Sequence, residues 1–278
     1  MKVEELKIKP INFTLSTKVN FPISNEDLSP LAKDLEKISG LNYYIGICGG
    51  GTQNIYLLYL LSNKNKFKSI RLLDVNKEQL LNFIDIVNVL KSSKNDLQYL
   101  SNLVKRQHTI IGGVSSTYTR FLKYFYPMFK NKFYGFEETN LKRYLLRNFK
   151  EIELLQSDLT KYLVSERLQR GKYFVYVSNI FTYTGMSWRR YKNLLLNIVK
   201  ELVSFKTGWK DRADKRYVTE ELELLISKNR YIFEGSMILV YMGGFLLTNK
   251  YIRILLFEKK RGKIELVKSY THTSNLMR

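Results

Sequence analysis

The strongest constraint on this chain is a glycine cluster between an apolar segment and an acidic residue. Tyr43–Ile47 is typical of a buried strand, and it leads directly into Cys48–Gly51. A helical segment follows, and a second apolar strand ends in Asp74, about 23 residues after Gly51. Glycines let a backbone approach a ligand closely, and an acid at the end of the next strand can accept both hydrogen bonds of a ribose. This order predicts a ligand that carries adenosine.

Strand and helix signals alternate around the glycine cluster. Residues 29–38 are typical of a helix that Ser29 caps, with proline at its first position, and Gly40 closes it. Lys68–Leu73 is a second apolar strand, and Asn76–Val89 carries apolar residues at helical spacing. Strand–helix–strand–helix alternation predicts a parallel sheet with right-handed crossovers.

The pattern changes after the second helix and then resumes. Residues 91–150 are aromatic, basic and helical in character, which predicts an insertion that covers the site or holds the substrate. Further strands are predicted at Ile152–Leu155, Tyr173–Val177, Ile238–Tyr241, Ile252–Phe257 and Ile264–Ser269. Further helices are predicted at 159–168, 188–205 and 219–227.

The predicted fold class is therefore α/β: a Rossmann-like, mostly parallel sheet with helices on both faces, antiparallel C-terminal strands and a helical insertion after the second strand. Residues 1–28 are predicted to be an N-terminal extension that could form a small hairpin, because short alternating segments lie between prolines. Residues 29–90 and 151–278 would form the cofactor-binding domain, and 91–150 the basic insertion.

The charge is the second strong signal. Lysine and arginine total 46 against 25 acidic residues, a formal net charge of +21. Such an excess attracts polyanions such as nucleic acid or an anionic membrane surface. The chain is also rich in Lys, Asn, Ile, Tyr and Phe, which AT-rich codons favour, so compositional drift is the competing explanation.

Composition also argues against several classes of protein. The single cysteine, Cys48, excludes an internal disulfide framework, and with two histidines no metal site is expected. The N-terminus is charged rather than apolar, and the longest apolar run, Met237–Leu247, is shorter than the about 20 residues that span a bilayer. A soluble, cytoplasmic protein is expected.

Together these residues resemble the class I S-adenosylmethionine-dependent methyltransferases. In that family a glycine turn after the first strand holds the methionine part of the cofactor, an acid ending the second strand binds the ribose, and an acid after the third strand contacts the adenine. The resemblance, over roughly residues 30–260, implies S-adenosylmethionine as cofactor. The cofactor-binding residues it implies are Gly46, Gly49, Gly50, Gly51, Asp74 and Asp158.

In the same family the loop after the fourth strand faces the substrate. The matching residues are Ser178 and Asn179, with Tyr183 close enough to line the pocket, and these three are the candidate catalytic residues. Ser178 and Asn179 could instead only satisfy backbone groups at a strand end, and Asp158 could simply cap the following helix. The resemblance together with the charge predicts an anionic acceptor, with RNA or DNA ahead of lipid headgroups or small acids.

Three alternatives stay open. The family usually has an acid near the end of the first strand, and here no carboxylate lies between Leu41 and Asn54. Cys48–Gly51 followed by Leu72–Leu80 is also similar to 3-amino-3-carboxypropyl transferases such as betaine-lipid synthases, which use the same cofactor. A nicotinamide oxidoreductase is disfavoured because Asn54 stands where G-x-G-x-x-G needs its third glycine. A non-catalytic nucleic-acid-binding protein on a degenerate cofactor fold is the third alternative.

Overall fold

The computed structural model describes residues 8–10, 28–48, 52–92, 152–178, 218–220, 222–227, 229–246 and 249–275. The chain divides into two compact units, Met1–Leu159 and Thr160–Arg278. These are called unit 1 and unit 2.

Unit 1 alternates strands with helices. A 3-10 turn, Ser29–Leu31, precedes its first helix. The strands are β1 Ile8–Pro10, β2 Tyr43–Ile47, β3 Ser69–Asp74 and β4 Ile152–Gln156. The helices are α1 Ala32–Leu35, α2 Thr52–Ser62 and α3 Lys77–Ser92. The strands lie in the order β1-β4-β3-β2, and every neighbouring pair is parallel.

The core of unit 1 explains why these segments are strands. Tyr43 to Gly46 are all buried in β2, and Leu72 and Leu73 are buried in β3. Consecutive buried residues are typical of a parallel strand covered on both faces, and they give a continuous apolar run rather than an alternating one. One ion pair crosses the sheet away from its ends, where Arg71 Nε lies 2.9 Å from Glu153 Oε2.

Unit 2 contains the antiparallel strands. Its elements are α4 Leu159–Ser165 (whose first residue belongs to unit 1), β5 Tyr173–Ser178, a π-helical turn Glu223–Ser227, β6 Met237–Leu246, β7 Asn249–Lys260 and β8 Lys263–Asn275. β5 pairs with β6 in parallel, and β6, β7 and β8 pair as antiparallel neighbours. The turn between β7 and β8 is Arg261-Gly262, where both φ angles are positive, 51° and 75°. Positive φ at both central residues matches the right-handed twist of the two flanking strands.

The predicted fold class is confirmed in its parallel strands, its intervening helices and its antiparallel C-terminal strands. One local prediction was wrong in the length and the cap of a helix. The helix predicted over residues 29–38 is a 3-10 turn followed by the single turn of α1, whose N-cap is Leu31 without a side-chain hydrogen bond. Ile8–Pro10, the described strand of the predicted N-terminal extension, pairs in parallel with β4 at the outer position of unit 1. The second segment of the predicted hairpin lies outside the described residues. Proline suits that position because an outer strand needs fewer N–H donors.

Other predictions fall wholly or mostly outside the described residues. These are the basic insertion beyond Ser92, the helix over residues 188–205 and the rest of the N-terminal extension. Within the described residues, none of the helices is both long and apolar enough to cross a membrane.

Candidate cofactor-binding edge of unit 1

The carboxyl ends of three parallel strands meet at one edge of unit 1, called the carboxyl edge. Ile47 pairs with Leu73, and Asp74 pairs with Gln156. The hydrogen bonding continues one residue beyond the strands: Cys48 N–H donates to Leu73 O at 2.7 Å, and Ser157 N–H donates to Asp74 O at 3.0 Å. Ligands of open α/β sheets bind outside the carboxyl ends of the strands, so this edge is the candidate site.

Asn54, in the first turn of α2, joins that helix to the end of β2. Its side chain is fully buried. Its Nδ2 donates to Ile47 O at 2.7 Å and to Cys48 O at 3.1 Å, and its Oδ1 accepts from Tyr44 Oη at 2.8 Å. Three hydrogen bonds from one buried amide set the position at which the chain leaves β2 and the position at which α2 begins. Asn54 therefore holds the two ends of the glycine turn.

Gly46 makes room for Asn54. A Cβ built on Gly46 would lie 2.8 Å from Tyr44 Cε1 and would collide with Asn54 Oδ1. Real Cβ atoms do not approach other heavy atoms that closely, and both neighbours are buried and hydrogen-bonded to each other. Gly46 thus has a packing role that the sequence did not indicate, and its predicted contact with a cofactor stays a prediction.

Asp74 ends β3 in a turn that also starts α3. Its Oδ1 accepts from Asn76 N–H at 2.9 Å. Asn76 then caps α3, because its Oδ1 accepts from Glu78 N–H at 3.0 Å. The half-buried carboxylate is held by its own backbone turn at the carboxyl edge. The bond from Asn76 N–H uses one of the about four acceptor positions that a carboxylate has on its two oxygens.

Cys48 occupies the position that follows β2, where an acid was expected from the resemblance. The thiol is buried, and its Sγ donates to Gln79 O at 3.5 Å. Burial raises the pKa of the Cys48 thiol well above its usual range, and the negative charge of Asp74 raises this pKa further. The thiol is therefore protonated at neutral pH, which argues against a nucleophilic role.

The end of β4 completes the edge. Gln156 Nε2 donates to Val75 O at 3.3 Å, which ties the end of β4 to the turn after β3. Ser157 is buried, and Asp158 follows it as a half-buried side chain just before α4. The structure therefore brings the predicted residues Asp74 and Asp158 to the same edge of unit 1.

Ser178 lies in unit 2 and has an unusual backbone. It is the last residue of β5, and its φ is 54°, in the left-handed region that non-glycine residues rarely adopt. The register with β6 shifts here. Tyr176 pairs with Leu239 and Ser178 with Val240, so β5 has one extra residue at this point, as in a β-bulge. Such strain costs about 1 kcal/mol or more and clusters at functional sites.

The remaining predicted site residues, Gly49, Gly50, Gly51, Asn179 and Tyr183, lie outside the described residues. Sequence reasoning missed Asn54 and Asn76 as positioning residues. Asn54 had been considered only as a departure from a dinucleotide pattern. An amide one turn after a glycine cluster is the signal that could have identified it. Across the described residues, no group of three or more His, Cys, Asp or Glu side chains could hold a metal ion.

Comparison with known proteins gives a limited result. No protein-family model matches the chain, and no curated protein sequence matches it. Among solved structures, the chain is similar to an S-adenosylmethionine-dependent methyltransferase from Clostridium acetobutylicum (8% identity, TM-score 0.29, 90% of this chain and 75% of that one). It is also similar to the sugar N-methyltransferase KedS8 from Streptoalloteichus (5%, 0.31, 91% and 73%) and to Streptomyces venezuelae DesVI (10%, 0.29, 91% and 78%). At these scores the function has to be argued from the chain's own residues.

Proposed function

We propose that this protein is an S-adenosylmethionine-dependent transferase, most simply a methyltransferase, that binds its cofactor at the carboxyl edge of unit 1. The observation that carries the proposal is the pairing of two features at that edge. Asp74 ends β3 as a carboxylate fixed by its Asx turn, and Asn54 holds together the two ends of the turn between β2 and α2. An acid at the end of one parallel strand, beside a glycine turn whose backbone can approach a ligand closely at the end of the next, suits an adenosine ligand.

The residue roles follow from this placement and from the family resemblance. Asp74 would accept hydrogen bonds from the ribose hydroxyls, and Asp158 would contact the adenine. Residues 49–51 would lie against the methionine part. Ser178, Asn179 and Tyr183 stay the proposed acceptor-side residues. The backbone strain at Ser178 supports that assignment.

The cofactor's sulfonium already activates the carbon that is transferred. The protein then has to align the acceptor with that carbon and exclude water from the site. No thiolate or imidazole is required for this, which agrees with the protonated, buried Cys48 thiol. A general base is needed only where the acceptor must lose a proton.

The acceptor we propose is anionic, with RNA or DNA ahead of lipid headgroups and small acids, because the chain carries a net charge of +21. A 3-amino-3-carboxypropyl transferase is the second candidate, because Cys48–Gly51 followed by Leu72–Leu80 resembles those enzymes, which use the same cofactor. The products separate the two reactions, since methyl transfer releases S-adenosylhomocysteine and aminocarboxypropyl transfer releases methylthioadenosine.

The test is calorimetric titration with S-adenosylmethionine and S-adenosylhomocysteine. We expect micromolar binding by the wild type and none by Asp74→Ala. Asp74→Asn can keep the acceptor for Asn76 N–H while losing the charge, so its affinity should fall by about 10- to 100-fold. Glu153→Ala is the matched control, because Glu153 is the second residue of β4, away from the carboxyl edge, in a half-buried ion pair worth about 1 kcal/mol. A folded wild type that binds neither compound would refute the proposal and favour the non-catalytic alternative.

A further inference from the structure

A second site is indicated at the opposite end of β5 from Ser178. Just before β5, Gly171 forms an isolated parallel bridge with Ile232. Gly171 N–H donates to Tyr231 O at 3.1 Å, and Phe233 N–H donates to Gly171 O at 2.8 Å. The backbone therefore places residues 170–172 beside residues 231–233, about 60 positions later in the chain.

Two side chains, Asn229 and Lys259, hold the 229–233 turn in place, and this turn forms a platform. Asn229 Nδ2 donates to Leu163 O at 2.7 Å, which ties the turn to α4. Lys259 is buried beneath the turn, 5% exposed, and its Nζ donates to Ile232 O at 2.7 Å, Asn229 O at 3.1 Å and Ile226 O at 3.4 Å. Burial lowers the pKa of Lys259, and Glu234 opposes this effect. The bonded ammonium thus supports the turn from inside unit 2.

The outward side of this platform is basic and aromatic. Arg167, Arg170, Lys172 and Arg230 are all exposed, and Phe233 is 44% exposed. Arg230 Cζ lies 5.0 Å from the centre of the Tyr231 ring, and its Nη2 donates to Tyr231 Oη at 2.9 Å. These six residues, Arg167, Arg170, Lys172, Arg230, Tyr231 and Phe233, are called the basic surface.

A second arginine also approaches the Tyr231 phenol. The hydrogen bond from Arg230 lowers the pKa of Tyr231, and Arg167 lowers it further through its charge and a hydrogen bond. Glu234, three residues after Tyr231, accepts from Gly262 N–H at 2.8 Å through its Oε1. The half-buried Glu166 is the acid next to Arg167 in the chain. The two guanidinium groups thus converge on the Tyr231 phenol, an arrangement suited to an added anion.

We propose that the basic surface binds single-stranded nucleic acid, with the arginines on phosphates and Tyr231 and Phe233 stacked on bases. Cations interleaved with aromatic rings are the combination that single-strand-binding proteins use, and an acidic protein partner would leave the exposed Phe233 and half-buried Tyr231 rings unexplained. The inference rests on the anionic acceptor of the proposed function and deepens it. The six-residue length of β5 puts the surface about 20 Å from Ser178, so it would hold the polymer rather than the reacting atom.

The test uses fluorescence anisotropy with labelled 12-nucleotide single strands, one of RNA and one of DNA, across a salt series. Arg167→Glu/Arg230→Glu should weaken binding at least tenfold and reduce the slope of log affinity against log salt by about 1.4, for two lost phosphate contacts. Phe233→Ala should weaken binding about tenfold, the loss of one stacked base, with the slope unchanged. The ratio of the affinities for the RNA and the DNA strand identifies which kind of nucleic acid the surface prefers.

The charge-matched control is Lys64→Glu/Lys66→Glu, two exposed lysines of unit 1. It should change the affinity less than about threefold. Equal losses in both double variants would overturn the proposal, because net charge alone would then explain binding. A wild type that binds neither strand would also overturn it and leave an acidic protein as partner. Calorimetry with S-adenosylmethionine on the same variants should be unchanged, which keeps this result separate from the test of the cofactor site.

Discussion

The two ends of β2 in unit 1 are built from the same pair of residue types, an asparagine and a glycine. At the carboxyl end, Asn54 donates to two carbonyls and accepts one hydrogen bond from Tyr44. At the amino end, Asn65 donates to Ile38 O at 2.8 Å and Leu61 O at 2.7 Å and accepts from Leu41 N–H at 2.9 Å. Both asparagines are buried, at 0% and 7% exposure. They lie at opposite ends of α2, and each joins it to the segment beside it.

The glycines at the two ends serve different needs. Gly40, at the amino end, has a φ of 77°, and a Cβ there would meet nothing within 4 Å. Gly46, at the carboxyl end, would place a Cβ 2.8 Å from Tyr44 Cε1. One glycine is needed for backbone conformation and the other for space. The asparagine hydrogen bonds are equivalent at the two ends of β2, so they do not distinguish the end beside the proposed cofactor from the other end. Only the carboxyl end adjoins Asp74 and the proposed cofactor.

Replacing each asparagine by leucine is the strongest test of this comparison. Asn54→Leu and Asn65→Leu should each lower the free energy of unfolding by about 3 kcal/mol, because one buried and one half-buried carbonyl lose their donor and one donor loses its acceptor. Urea unfolding measures this. Affinity for S-adenosylhomocysteine should fall at least tenfold in Asn54→Leu only. Equal affinities in the two folded variants would show that the carboxyl edge has no special role.

Replacing the two glycines should change the free energy of unfolding by less than replacing the asparagines does. Gly46→Ala should destabilise by about 2 kcal/mol or more, since Tyr44 and Asn54 must move apart. Gly40→Ala should cost about 1 kcal/mol for its left-handed backbone, and Gly40→Asn less, because asparagine tolerates that region. Thermal and urea unfolding of these three variants measure the order of their stabilities. If Gly46→Asn were tolerated as well as Gly40→Asn, space would not be the reason for Gly46.

The smallest effect is pH-dependent and concerns Cys48. Its folded pKa is raised by burial and then by Asp74, whereas the unfolded thiol titrates near about 8.5. The stability that the protonated thiol contributes is thus fully present below that pH and is lost as pH rises through the folded pKa. Between pH 7.5 and 9.5, wild type should lose about 1 kcal/mol relative to Cys48→Ala. Unfolding curves at both pH values check this, and a constant difference would contradict a buried, protonated thiol.

The main strands of both units could be predicted from the sequence. β2 and β5 are continuous apolar runs, and β3 and β4 are mostly apolar runs with one charged residue inside each. Turn residues bound them, and this local pattern needs no knowledge of partners. The acid at the end of β3 was predictable for the same reason, because its position follows from where the strand ends. The helix at residues 29–38 was not predicted correctly, since the serine–proline signal describes a start and carries no information on length.

Features that depend on distant pairing were not predictable. Ile8–Pro10 joins unit 1 only because β4, more than 140 residues later, presents an outer edge. The basic surface likewise forms because Gly171 meets Ile232. In each case the local pattern is compatible with several partners, and packing of the whole unit selects one.

The sequence by itself determined the strands, the glycine turn and the acid that ends β3, because each depends on a periodicity or a turn preference over a few residues. Only the tertiary structure decided that Asn54 bonds two carbonyls of β2, that Gly46 leaves space for it, and that Lys259 supports the 229–233 turn. A buried polar group must find partners wherever the fold brings them, and those partners lie at distances along the chain that no local pattern encodes.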